Sequence, residues 1–297
     1  MMNNTKQTFS IKDLENLSGI KAHTIRIWEK RYNLLAPKRT ETNIRFYTLD
    51  DLQKLLNISF LNQHGYKISK IAELSAEKIP VLVREILNND RSSDDYMNKF
   101  KMAMINFDQS LFYTTYNNLL NQKSFREIFY KIFIPLLNEI GLLWQTNTIS
   151  PAQEHFISNL IKQKILINTE NLYQEAPSHN KTFVLYLPEN EIHEIRLLYL
   201  NYEVNLHGYK SIYLGQTVPL KSLEDIKKNH ENVTFISYFT VEPTVERIYT
   251  YFEQFNELMG KDTALWVLGK QIHDLKLSSI PPNVRLLKSI QEVLEIL

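Results

Sequence analysis

Three sets of residues have side chains whose types and spacing could do chemistry. The first is basic. Between Ile20 and Tyr47 the chain reads IKAHTIRIWEKRYNLLAPKRTETNIRFY, setting Lys21, Arg26, Lys30, Arg31, Lys38, Arg39 and Arg45 against only Glu29 and Glu41. That local surplus of five positive charges exceeds the surplus of one carried by the whole 297-residue chain. A basic, aromatic-bearing patch in an otherwise neutral chain is the electrostatic footprint of a nucleic-acid reader, with a solvated basic face as the alternative. The second set is Trp144, followed after nine residues by Glu154-His155. The third is Glu191-Ile192-His193, an imidazole two residues from a carboxylate. A Trp that ends a helix is usually core and a His in a first helical turn is usually solvated. The elements that hold these residues therefore decide what they can do.

For the basic set those elements are short. Ser10 is a good N-cap, Asp13 suits the positive end of a helix, and Leu14 with Leu17 gives that helix an apolar face. Gly19 permits a tight turn. The spacing of Ile25, Trp28 and Tyr32 predicts a second helix over Ala22 to Arg31, with Trp28 in its buried stripe. His23, Thr24, Arg26 and Lys30 then point outward. Two short helices joined at a glycine turn, the second one basic, form a helix-turn-helix whose second helix can enter a major groove. Ala36 to Tyr47 reads as a small hairpin, with Pro37 leading in and Thr40 to Asn43 turning, which is a wing.

At this point the chain resembles the MerR family of transcriptional regulators, over about Phe9 to Ser75. The residues that carry the resemblance are FSIKDLENLSGI, HTIRIWEKR, the NLLAPKRT step into the wing, and NIRFYTLDDL after it. The resemblance implies that Lys21, His23, Thr24 and Arg26 face DNA from the recognition helix, with Lys30 on the same outward face. It implies that Arg39, Arg45 and Tyr47 meet DNA from the wing. The expected partner is a double-stranded operator, with RNA polymerase affected indirectly.

The rest of the chain sets limits and adds domains. No cysteine is present, which excludes disulfides and thiolate metal sites and fits a cytoplasmic protein. The opening MMNNTKQT has no apolar stretch and no run approaches a membrane span, so no membrane role is expected. Leu49 to Gln63 reads as a helix capped by Thr48 with Asp51, and Lys67 to Leu74 as a short one. Pro80 to Leu87 gives a turn or two more, and Asn88 to Asp95 reads as a linker without heptads. Oligomerisation, as a dimer or tetramer, is therefore expected to use the C-terminal half. Apolar stripes at Met97/Phe100/Met104 and Leu111/Phe112/Leu119/Leu120 predict two helices. A third, from the Ser124–Glu127 capping box to Leu143, is bent at Pro135, and a fourth opens at Ser150-Pro151. That is a four-helix bundle.

From Lys181 the period changes. Strand-like runs at Thr182–Leu187, Ser211–Leu214, Val233–Ser237, Ala264–Leu268 and Val284–Leu286 alternate with helices beginning near His193, Leu220, Val241, His273 and Ser289. The expected fold class is multidomain α and α/β. It comprises a winged helix-turn-helix at 1–76, a linker at 77–93, a four-helix bundle at 94–176, and a doubly wound, flavodoxin-like, Rossmann-like domain at 181–297. His193 falls just after the first strand of that sheet, at the edge where such sheets bind ligands.

With these elements in place the chain resembles cobalamin-binding modules of corrinoid enzymes, and especially the cobalamin-dependent photoreceptor regulators of the MerR family. Those regulators join the same three parts in the same order. The resemblance implies that Trp144 covers the upper face of cobalamin (adenosylcobalamin), with Glu154 and His155 near the upper ligand. It implies that His193 is the lower cobalt ligand, an imidazole oriented by a neighbouring carboxylate or carbonyl. Ser237 and Gly269 hold further cofactor-binding positions. The chain also departs from that pattern. Arg196 replaces a glycine, Lys270 replaces the second glycine of a pair, Ser237 is followed by Tyr238-Phe239, and Gln145 stands where light-sensing members have a second histidine. The expectation is a DNA-binding regulator, not an enzyme, whose C-terminal half senses a ligand or drives oligomerisation. The alternatives are a cofactor-independent regulator with a degenerate module and, more remotely, a corrinoid enzyme component.

Overall fold

The protein is described by a computed structural model covering residues 8–89, 93–146, 148–172, 179–273, 275 and 279–297. The chain packs as two compact units, Met1–Leu160 and Ile161–Leu297.

The first unit begins with strand β1 (Thr8–Phe9), helix α1 (Ile11–Ser18) and helix α2 (Ala22–Tyr32). Ser10 and Asp13 close a reciprocal capping box on α1, and Gly19 ends the helix with φ 73° in the left-handed region. Strands β2 (Lys38–Arg39) and β3 (Arg45–Thr48) form the wing. β1 adds to it as a third antiparallel strand, pairing Phe9 with Tyr47 in the order β1-β3-β2. This two-residue strand was not legible in advance, because strand periodicity needs at least four residues to register. Helix α3 (Leu49–Gln63) starts from the Thr48–Asp51 capping box and buries Leu52, Leu55, Leu56, Ile58, Phe60 and Leu61. Helix α4 (Ile68–Ala72) is a short turn of helix, and helix α5 (Lys78–Asn89) packs against α3.

The segment expected as a linker is mostly helical. α5 runs to Asn89 and α6 (Ser93–Asn106) begins at Ser93, while 90–92 lie outside the described residues. α5 thus exceeds the turn or two expected over Pro80 to Leu87, and Ile79 and Val83 anchor its first half in the core. Then follow α7 (Gln109–Leu120), α8 (Phe125–Ile128), a π-helical turn over Phe129–Phe133, and α9 (Ile134–Gln145). The expected bend at Pro135 takes this form because proline has no N–H for the α ladder. The ladder instead widens to an i→i+5 bond from the Ile134 N–H to the Phe129 carbonyl. Rings of Phe100, Phe112, Tyr116, Phe129 and Phe133 contact one another in the core of this helical region. Helix α10 (Pro151–Glu170) belongs to both units: Phe156 packs on Phe107 in the first, and Ile161 onward is counted with the second.

The second unit holds β4 (Thr182–Pro188), α11 (Ile195–Leu206), β5 (Lys210–Val218), α12 (Leu223–Asn229), β6 (Val233–Tyr238), α13 (Val245–Met259), β7 (Ala264–Leu268), β8 (Val284–Leu286) and α14 (Ile290–Leu294). All pairings are parallel in the order β5-β4-β6-β7-β8, so the chain reverses direction across the sheet beside β4. This is the doubly wound order whose ligand crevice lies at the carboxyl ends of the strands flanking the reversal. Two expected helices differ. The one placed at Val241 starts at Val245, because the N–H groups of Thr240, Val241 and Glu242 are bonded to Glu191 instead. The one placed near His273 is, among the described residues, only a 3-10 turn at Lys270–Ile272, with the Gln271 N–H donated to the Phe239 carbonyl. Among the described residues no helix is long and apolar enough to cross a membrane.

Candidate functional site

Burial of Ile25 and Trp28 against the body of the first unit fixes which side of α2 faces out. Lys21, His23, Arg26 and Lys30 are exposed on it, and Thr24 is half-buried with its hydroxyl 3.3 Å from His23 Nε2. Lys21 lies 3.4 Å from Glu15, whose carboxyl is held below its usual range first by the Ala22 N–H it accepts and then by Lys12 and Lys21. On the wing, Arg39 is exposed, and its Nη1 donates to the side chain and carbonyl of Asn43 at 2.7 and 3.2 Å. It therefore braces the turn, where Asn43 takes φ 64°. Arg45 is exposed beside it, and the wing also presents Ile44, an apolar tip with no precedent in the sequence reading.

Tyr47 is a correction. It is 0 % exposed, so it cannot meet DNA; its hydroxyl donates to Glu29 Oε1 at 2.5 Å. Burial, followed by the Glu29 carboxylate, pushes its phenol well above the ordinary range, and it stays a donor at any working pH. Glu29 is the functional residue that sequence reasoning missed. Its Oε2 lies 3.9 Å from Arg45 Nε, so one carboxylate of the recognition helix bonds a wing tyrosine and lies beside a wing arginine. The available signal was its being the one acid in AHTIRIWEKRY.

At the junction of α9 and α10 the first unit presents its aromatic and acid–imidazole set. Trp144 is 52 % exposed, which removes it from the core. In the first turn of α10, His155 Nδ1 lies 2.9 Å from Glu154 Oε2, while Glu154 Oε1 accepts the Ser158 hydroxyl at 2.7 Å. The side chain of Gln145 lies outside the described residues.

In the second unit Glu191 organises the carboxyl edge of the sheet. Its side chain is fully buried, with six donors around two oxygens. Oε1 accepts the N–H groups of Ile192 and His193 and the His193 Nδ1–H, at 2.9, 3.0 and 2.6 Å. Oε2 accepts the N–H groups of Thr240, Val241 and Glu242 at 3.1, 2.6 and 2.9 Å. Burial works to raise this carboxyl; the bonds from His193 and then from the loop amides outweigh it and hold it at about 2. The carboxylate thus fixes His193 with Nδ1 protonated, so Nε2 is the nitrogen with a lone pair, which is the arrangement of metal-ligating histidines. The His193 side chain is 53 % exposed.

A second buried carboxylate follows directly. Glu194 is bound by Lys162 of α10, by the Tyr213 hydroxyl at 2.7 Å and by Gln216 Nε2 at 2.8 Å. It fastens the loop to α10 and β5. The two remaining expected cofactor positions serve the chain itself. The Ser237 hydroxyl is buried and donates its proton to the Tyr186 carbonyl at 2.9 Å. At Gly269, φ is 117° and an added Cβ would sit 2.1 Å from the Phe239 carbonyl oxygen, so Phe239 by itself requires glycine there. Arg196 donates to the Tyr238 hydroxyl at 3.2 Å, and Lys270 is exposed.

Comparison with known proteins finds likeness in the head and in the helical region behind it. Residues 9–78 match the MerR HTH family regulatory protein, and residues 96–167 match the B12 binding domain. The chain is 28% identical over 226 residues to the HTH-type transcriptional repressor CarH of Myxococcus xanthus, spanning 73% of this chain and 74% of that one. It is 24% identical over 220 residues to the repressor CarA of the same organism, spanning 73% and 71%. The Methanosarcina barkeri monomethylamine corrinoid protein superposes with a TM-score of 0.58 at 13% identity, covering 69% of this chain and 98% of that one, a likeness of fold. The chain thus joins a helix-turn-helix head of the MerR type at residues 9–78 to a region of the B12 binding domain type at residues 96–167, and it is similar to HTH-type transcriptional regulators.

Proposed function

We propose that the protein regulates transcription by reading an operator with Lys21, His23, Thr24, Arg26, Lys30, Arg39 and Arg45, and that its B12-type region senses cobalamin through His193. The division of labour follows the sequence: head at 1–76, connection at 77–93, helical cap at 94–176, α/β domain at 181–297. The protein works in the cytoplasm as a homo-oligomer joined through its C-terminal half, acts on RNA polymerase only through DNA, and catalyses no reaction. The repressor names of its Myxococcus relatives support the regulatory role.

The observation that carries the sensing role is the buried Glu191 that orients His193. A fully desolvated carboxylate is costly unless it is satisfied, and six donors satisfy it here. Such a site suits a borderline nitrogen donor for cobalt, so His193 would hold the metal, and Trp144, Glu154 and His155 are the first unit's own candidate residues for the cofactor. When bound, cobalamin would supply a cobalt ion able to exchange a ligand. Glu191 keeps the imidazole in one tautomer and one orientation. The test is an absorption spectrum of the full chain incubated with adenosylcobalamin and then desalted. A retained corrin band, lost in His193→Ala, is expected; no band in the wild type overturns the sensing role.

A second reading, a module that works without the cofactor, is favoured by a different observation. Ser237 and Gly269 are spent on Tyr186 and Phe239, and Arg196 reaches Tyr238. The further cofactor-binding positions are thus engaged within the chain, whereas His193 is presented as a donor. The same spectrum separates the two readings.

A further inference from the structure

Among the described residues, two polar ties between side chains join the helix-turn-helix head to the helical cap within the first unit, and one of them ends beside Trp144. The Asn16 amide, on α1, donates to the Thr148 hydroxyl at 3.1 Å and reaches the Thr146 hydroxyl at 3.5 Å. The two threonine oxygens are 2.8 Å apart, and Thr146 reaches the carbonyls of Leu142 and Leu143 at 3.0 and 3.1 Å. Each hydroxyl has a single proton, so the chain of bonds has one consistent sense. Asn16 donates to Thr148, Thr148 to Thr146, and Thr146 to the last turn of α9. Thr148 is fully buried and its N–H is bonded to the Leu143 carbonyl, so its hydroxyl is shielded from solvent, while Thr146 at the end of the turn is exposed. The last turn of α9 is also the turn that holds Trp144. The other tie, Gln53 to Asn106 at 2.9 Å, joins α3 to α6 and involves neither threonine.

We propose that Asn16 is a positioning residue for DNA reading, coupling the orientation of α1 to the conformation of the turn that ends in Trp144. Leu14 and Leu17, either side of Asn16 on the same short helix, are buried in the head. A shift of Asn16 therefore moves α1 as a body and with it α2, which packs against α1. The coupling rests on the proposed reading of the head as the DNA-binding part. It is reciprocal by linkage: whatever reorders the α9 turn changes DNA affinity, and DNA binding changes the α9 turn by the same factor.

The experiment uses the full chain and a duplex selected by the wild-type protein from a randomised pool. Failure to select any duplex sinks the proposed function itself and is thereby told apart from failure of the coupling. Asn16→Ala and Thr148→Val are each expected to weaken binding about threefold to tenfold, the range of one net hydrogen bond, and the double variant no further. Thr148→Ser keeps the hydroxyl and is expected to bind as wild type. Hydrogen exchange supplies a readout that simple loss of stability does not reproduce. Duplex binding is expected to slow amide exchange in residues 142–149 of the wild type and of Gln53→Ala, but not of Asn16→Ala. Additive losses in the double variant, wild-type affinity in Asn16→Ala, or unchanged exchange at 142–149 on binding would each overturn the proposal. Should Thr148→Val not fold, Asn16→Ala and the exchange pattern still decide it.

Discussion

Replacing Glu191 by glutamine keeps shape and removes charge, and the six donors around the carboxylate make its cost calculable. An amide can present only one oxygen. If the NH2 group faces Thr240, Val241 and Glu242, three backbone N–H groups lose their acceptor. If it faces the other side, the N–H groups of Ile192 and His193 lose theirs, while His193 can adapt by taking the opposite tautomer and accepting at Nδ1. The second orientation is cheaper and orphans two donors, each costing about 1–3 kcal/mol, while the bonds that remain fall from charge-assisted to neutral strength. The expected loss is about 3–5 kcal/mol, read as a lower urea midpoint of the full chain. The difference from wild type depends on pH with a defined sign. The carboxyl is held at about 2 in the folded protein against an ordinary 4.5, so its contribution is complete above pH 4.5 and fades as the pH falls toward 2. A loss under about 1 kcal/mol at pH 7, or a wild-type advantage that grows on acidification, would refute the role given to Glu191. The tautomer change has a second consequence: with Nε2 protonated, His193 can no longer donate a lone pair, so the same variant should fail to hold cobalt.

Arg26→Ala should weaken operator binding by about 1–3 kcal/mol in a gel-shift titration if its guanidinium reads a base edge, and a loss common to all sequences would reassign it to a phosphate. If an oligomer neutralises roughly eight phosphates, log affinity should fall with log salt at a slope of about −7, and a slope near zero would remove the basic face from the interface. Tyr47→Phe deletes one hydrogen bond to Glu29 without a change of shape, so operator affinity should drop while the fold persists by circular dichroism; unchanged affinity would mean the wing is held by other contacts. Arg39→Ala should raise hydrogen exchange at the wing turn, because Asn43 loses the guanidinium that braces it.

Much of this was legible because local chemistry and period agree. The capping boxes at Ser10, Thr48 and Ser124, the strands at Thr182 and Ala264, and the Pro135 irregularity each need only a few neighbouring residues to specify them. The outward placement of Arg26 followed from Ile25 and Trp28 by helical arithmetic. What stayed hidden depends on partners distant in sequence. Tyr47 looked like a wing residue facing DNA because nothing nearby shows that Glu29, eighteen residues back, takes its hydroxyl. Ser237 and Gly269 looked like ligand positions because their partners, Tyr186 and Phe239, are set by strand pairing and by the crossing of β6 with the turn after β7. Glu191 was read as a neighbour of His193, yet half its bonds go to a loop fifty residues away.

The carboxylate shared by the recognition helix and the wing has a bearing on operator grammar. Because Glu29 holds Tyr47 and lies beside Arg45, helix and wing move as one body, like two prongs of a single gauge. The distance along DNA between what the helix reads and what the wing touches is then fixed within one half-site. In the proposed homo-oligomer, tolerance to inserted or deleted base pairs would reside between half-sites, where subunits rather than side chains set the spacing. A half-site should therefore behave as an indivisible word, intolerant of internal length changes, while the gap between words is the part that other regions of the protein can adjust.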